Sequence, residues 1–247
     1  MIRYLVVNLK VMMRVPLAVF FSLAFPLLMM LIMIVSYGNI SIGNGYYLID
    51  KYFFIAVGIG MLPLSLISFP IWIANRFEDN SLKRLTYFGV SGPKVIISDV
   101  VTHIIIGIAS ILIDFIFAYV LFQLKVPPLS SFLMFLMQYI MILLVHLLLG
   151  ALLALIFPNS QVLLPLGMTL MFALFMFCGV FISFDQLPNM IQIIGNCLPM
   201  KYAMNDFFYI WTGENLINTT AVILCSVYTV ISVALLLFIW RFRHKRM

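Results

Sequence analysis

Residues 132–157 read FLMFLMQYIMILLVHLLLGALLALIF, an apolar run with no charged side chain. A helix needs about 20 apolar residues to cross the hydrocarbon core, so this stretch alone is long enough to span a bilayer. Runs of the same kind occupy residues 17–36, 52–74, 95–122, 162–184 and 219–240. Six spans are predicted. They use most of a 247-residue chain that is 65% hydrophobic and only 9% charged, which leaves too few polar side chains to coat a water-soluble globule. The expected fold class is all-α, a polytopic membrane protein with residues 1–247 as one transmembrane domain. No sizeable soluble domain fits beside the spans. The phosphate-binding pattern G-x-x-x-x-G-K-[ST] is absent, since Gly92-Pro93-Lys94 lacks its spacing. Any ATP chemistry is therefore expected on another chain.

The basic residues orient the spans. Arg3, Lys10, Arg14, Arg76, Lys83, Arg84, Lys94, Arg241, Arg243, Lys245 and Arg246 fall on one side of a six-span chain, and Lys51, Lys125 and Lys201 on the other. Eleven against three is a positive-inside pattern, which puts both termini and the 75–94 loop in the cytoplasm and the 185–218 segment outside. The formal net charge of +6 is dispersed between apolar runs, so nucleic acid is not an expected partner. Residues 1–15 place Arg3, Lys10 and Arg14 on one helical face, with Leu5, Leu9, Met12 and Met13 largely opposite. That is the pattern of a helix lying in the interface against membrane lipid. The apolar stretch after it is too long for a signal h-region and lacks an A-x-A exit, so it is read as the first span. The Tyr37 to Lys51 loop, rich in Gly and Asn, is read as a flexible turn. Cys178, Cys197 and Cys225 form no C-x-x-C pair and are read as free thiols.

The 75–94 loop contains Arg76-Phe77-Glu78-Asp79-Asn80-Ser81-Leu82-Lys83-Arg84-Leu85 and closes with Gly89-Val90-Ser91-Gly92-Pro93. Asp79 or Asn80 can cap a short helix that the glycines and proline end. Leu82 and Leu85, three apart, supply apolar anchors, while Glu78, Lys83 and Arg84 form a polar rim. Two uses fit. The helix can dock across a groove of a soluble partner, or it can serve as a linker resting on headgroups.

With Glu78, Asn80, Ser81, Leu82, Gly89, Val90 and Ser91 in these places, nearly the whole chain resembles the permease subunits of type-2 ABC transporters. Their corresponding loop carries an acidic residue, then glycine, threonine and leucine, and a proline-valine-serine-like ending. Asn80 replaces that glycine, Gly89 replaces that proline, and Lys83 and Arg84 replace more acidic or neutral residues. A second likeness lies in Gly179 to Pro188 and Cys197 to Asp206, although Phe207 and Phe208 stand in the region where the family usually has an arginine. The resemblance implies a transport subunit rather than an enzyme. Two such chains, identical or related, would line a pathway, and two cytoplasmic ATPase chains would dock on the loops through Glu78, Ser81, Leu82, Lys83, Arg84 and Leu85. No cofactor is expected on this chain, and ATP and Mg are expected on those partners. The resemblance further implies two short helices in residues 185–218 that dip into the outer leaflet, with Pro188, Pro199 and Tyr202 in the cap. It implies export of an amphipathic or hydrophobic cargo, a peptide or drug, from a bacterial cell. Lipid-linked polysaccharide is the competing cargo.

Polar residues inside the runs are the remaining signal. A carboxylate near a helix centre costs about 2.5 to 3.5 kcal/mol on insertion scales, so Asp114 should face protein or water. His103 is eleven residues earlier and Asp99 four before that, so all three can share a face. Asp114 and His103 are the candidate pathway groups, and would also serve an ATP-independent channel or proton-coupled carrier. The alternative is that Asp99 and Asp114 sit at the two interfaces and are merely solvated. An intramembrane enzyme is disfavoured, because no H-E-x-x-H or paired Glu motif exists. Pro63 and Pro70 share a face and predict a kink. Gly150 and Ala154 predict a close helix contact.

Overall fold

The computed structural model describes residues 2–12, 20–79, 81, 84, 87 and 92–244. A short helix, α1 (Ile2–Met12), precedes α2 (Phe20–Tyr37), α3 (Leu48–Glu78), α4 (Gly92–Phe122), α5 (Leu129–Ile156) and α6 (Ser160–Phe177). Two short helices follow, α7 (Asn189–Asn196) and α8 (residues 199–212), and then α9 (Thr219–His244). Among the described residues, helices α2 to α6 and α9 are the six that are long and apolar enough to cross a membrane. Unbroken helices are dictated by the solvent, since hydrocarbon offers backbone N–H and C=O groups no outside partner. The bundle has two ends. The loop end is where α3 ends and α4 begins, and the cap end carries α7 and α8.

Helix α3 is the axis of the bundle. Of its apolar stretch 89% is buried, against 22% for α2 and 11% for α9. The proline pair takes a specific form in it. Pro70 offers no N–H to the carbonyl of Leu66 and its ring crowds that oxygen. The helix widens into a π turn at Leu64–Ser68 and continues as a helix from Phe69. Glycines on neighbouring helices then meet the displaced carbonyls. A Cβ on Gly167 of α6 would stand 2.5 Å from the Leu66 oxygen, and one on Gly150 of α5 would fall on the Ser65 oxygen. Three backbones therefore touch at this turn. Gly150→Val and Gly167→Val should each cost about 1–3 kcal/mol through forced backbone shifts. A thermal melt of the purified protein should show both losses, while Ile116→Val on the exposed face of α4 leaves the melt unchanged.

Above the π turn, towards the cap end, the core is aromatic. Phe53 and Phe54 of α3, Phe135 of α5 and Trp211 of α8 are all fully buried and meet edge-on or tilted at 5.2–6.3 Å. The Trp211 Nε1–H donates to the Lys125 carbonyl at 2.9 Å, so the polar tip of the indole is satisfied where the ring is dry.

Three local expectations differ from the structure. The 37–51 loop holds a two-stranded hairpin, β1 (Ser41–Gly43) paired antiparallel with β2 (Tyr46–Tyr47). Asn44 and Gly45 both take positive φ, 52° and 73°, the left-handed pair that a tight hairpin demands. Helix α6 stops at Phe177, short of residue 184, because Gly179 turns the chain at φ 79°. In α1, Asn8 and Met12 are buried and Leu9 packs against the core, so part of the face expected to lie in lipid packs on protein instead. Val6, Val7, Lys10 and Val11 are exposed.

Candidate functional site

Helix α3 enters the loop end through Trp72, Arg76 and Glu78, and α4 leaves it through Lys94 and Asp99. Arg76 donates from a terminal guanidinium nitrogen to Asp99 Oδ1 at 2.7 Å, with side-chain exposures of 11% and 0%. The guanidinium also lies 5.2 Å from the Trp72 ring centroid, a favourable placement over the negative face of an indole. Asn8 of α1 donates to the same Asp99 oxygen at 2.7 Å and accepts from Arg76 at 3.5 Å. One buried carboxylate thus ties both stems of the loop to the N-terminal helix. Such a pair does not simply add stability, since two charges leave water to make it. Its removal on one side leaves the other uncompensated.

The predicted docking residues have local partners. Glu78 accepts from the Ser160 N–H at 2.8 Å and its hydroxyl at 3.2 Å, a carboxylate at the N-terminus of α6, where the helix dipole favours negative charge. Ser81 donates to the Arg76 carbonyl at 3.4 Å, and Arg84 to the Asp79 carbonyl at 2.7 Å. Leu82, Lys83 and Leu85 lie outside the described residues.

Asp99, His103 and Asp114 are all fully buried, so none is a solvated end-group. The structure does not bring His103 and Asp114 together. Eleven residues of helix separate them by about 16 Å along the axis. His103 donates from Nδ1 to the Asp99 carbonyl at 2.8 Å and stands edge-on to Phe69 at 4.8 Å. Because a carbonyl only accepts, the proton is on Nδ1. Nε2 has no hydrogen-bond partner among the described residues, and neither carboxylate oxygen of Asp114 has one.

At the cap end, the Pro188 carbonyl accepts from the N–H groups of Ile191 and Gln192 and so opens α7, while Pro199 begins α8. Tyr202 donates to the Asn196 carbonyl at 2.8 Å. Lys201 pairs with Asp206 at 2.9 Å and sits over the Phe184 and Tyr202 rings. The segment is held down on α3, where a Cβ on Gly58 would meet Met200 and Met204 at 2.6 Å. Asp50 anchors the same end. It is fully buried and accepts from the N–H groups of Tyr47 at 2.7 Å and Lys125 at 2.8 Å.

Sequence reasoning missed Asn8, Asp50 and the pairing of Arg76 with Asp99. For the last a signal existed, opposite charges facing each other across the two ends of one loop. For Asn8 there was none.

No curated protein and no solved structure matches the chain at a significant level. A family model does, the ABC-2 type transporter, over residues 4–211, which takes in Asn8, the loop stems and the cap. The chain belongs to the ABC-2 type transporter family and is a permease subunit of a type-2 ABC transporter.

Proposed function

We propose that this permease is driven by a separate ATPase that docks on the loop between α3 and α4, and that it exports an amphipathic or hydrophobic cargo, a peptide or drug. The Arg76–Asp99 pair carries this reading. It locks the two stems of the loop, so a push on residues 79–91 moves α3 and α4 as one body. Helix α3 is the most buried of the spans, and movement there reaches α5 and α6 through the backbone contacts at the π turn. The Glu78–Ser160 contact gives the loop a second lever, directly on α6. The positive-inside pattern supports cytoplasmic termini and a plasma-membrane setting. Scarcity of ionic groups along the spans supports an apolar cargo. On this reading two permease chains and two ATPases form the working unit, with ATP and Mg on the ATPases. The test is co-purification of a soluble ATPase whose hydrolysis rises with added amphipathic peptide.

A second reading, a proton-coupled carrier, draws on one observation. Asp114 is a fully buried carboxyl with neither oxygen hydrogen-bonded among the described residues, and such groups in spans mark ion paths by default. The two readings part at Asp114→Asn. An ATPase-driven permease should keep transport with an unchanged dependence on the proton gradient, whereas a carrier should lose it. We expect transport to be kept, as measured in vesicles with and without an imposed pH difference.

A further inference from the structure

The loop end carries a groove that the transport reading does not use. It is a cavity of about 250 Å³ between α3, α4, α5 and α9, with walls that include Phe69, Ile73, Val100, Leu147, Ala151 and Leu236. Every residue lining it is apolar. Phe69, Ile73 and Leu147 form a buried floor, while Ile96 and Leu144 stand exposed on its edge. All of these belong to membrane-spanning helices, so the groove opens to the side at bilayer depth. What reaches an apolar recess there is hydrocarbon, and a recess gives a chain more contacts than a convex helix face does.

Charge at the rim points to the rest of the occupant. Lys94 is two residues beyond Ile96 on α4, and Arg241 five beyond Leu236 on α9, which puts them about 3 and 7.5 Å nearer the membrane surface than the groove. Both are exposed. The nearby carboxylates are already engaged, Asp99 by Arg76 and Asn8, Glu78 by Ser160. Among the described residues of this end, exposed Lys10, Arg84, Lys94 and Arg241 stand against exposed Glu78 and Asp79, of which Glu78 is held by Ser160. Long cationic side chains at the end of a span reach to headgroup level and attract anionic lipid. We propose that the groove is a binding site for one acyl chain of an anionic phospholipid, with its headgroup held by Lys94 and Arg241.

The site sits directly under the stem pair. Ile73 and Phe77 flank Arg76 on α3, and Ile96 and Val100 flank Asp99 on α4. A bound chain therefore packs against the two helix turns that carry the loop. It is also independent of the cargo, and would stand if the exporter reading fell.

The test uses the full chain in phosphatidylcholine nanodiscs containing a minor fraction of phosphatidylglycerol with a diazirine on its acyl tail, followed by peptide mapping after illumination. Label should concentrate on peptides carrying residues 69–77 and 144–155, well above the exposed Leu112 to Ile116 face of α4. Ala151→Trp, which fills the groove, should lower that label to the level of the α4 face. Lys94→Glu with Arg241→Glu, both on the surface, should lower label from the phosphatidylglycerol probe roughly tenfold, leaving a phosphatidylcholine probe of the same tail unaffected. Equal labelling of groove and α4 face would overturn the proposal, as would cross-linking of the groove to a second copy of the chain in place of lipid. So would equal labelling by the two headgroups in the wild-type chain.

Discussion

Arg76→Ala should destabilise the protein by about 3–5 kcal/mol, because it leaves the fully buried Asp99 carboxylate with the neutral Asn8 amide beside it in place of a cation. Asp99→Ala should do comparable damage from the other side. The informative variant is the double Arg76→Met with Asp99→Leu. Replacing a buried ion pair by apolar side chains of similar volume is often neutral or stabilising, so thermal stability should largely return. Transport should not return with it. A methionine–leucine contact packs but does not lock orientation, and Asn8 loses its acceptor, so ATP hydrolysis and transport should come apart. Thermal melts with a coupled transport assay measure both. A double variant that is stable and fully coupled would reduce the pair to a packing feature.

Leu82→Asp with Leu85→Asp should abolish productive docking of the ATPase while the permease still inserts and melts normally. Buried apolar anchors at the centre of an interface are commonly worth 2 kcal/mol or more each, so a loss of ATPase affinity of at least about tenfold is expected. Their neighbours should matter less. Glu78 and Ser81 are engaged with Ser160 and the Arg76 carbonyl, so Glu78→Gln should act mainly through α6 and lower stability modestly. Co-purification of the ATPase with each variant separates the two effects.

The six spans were legible because each apolar run matches or exceeds the bilayer, and nothing but a membrane accounts for that much hydrocarbon in one chain. Finer features depended on contacts between distant residues. Asn44-Gly45 is itself a hairpin signal, yet the loop around it is so rich in glycine that it read as a flexible turn. Asp99, His103 and Asp114 do share one buried face, as their spacing predicts, but spacing cannot show that Asp99 faces Arg76 from α3 and Asn8 from α1. The glycines tell the same story. Gly150 was legible as a packing residue, but the oxygen it packs against is exposed only because Pro70 displaces the backbone of another helix. Glu78 read as a docking residue because its loop is polar, and its engagement of Ser160, 82 residues away, is invisible to local pattern.

The most direct trial of an externally driven permease is solute flux in liposomes holding the purified chain, with and without its ATPase and with ATP on the cytoplasmic face. Flux of an amphipathic peptide is expected only when ATPase, ATP and an intact 79–91 loop are all present. Sustained accumulation of solute by the permease alone would contradict it.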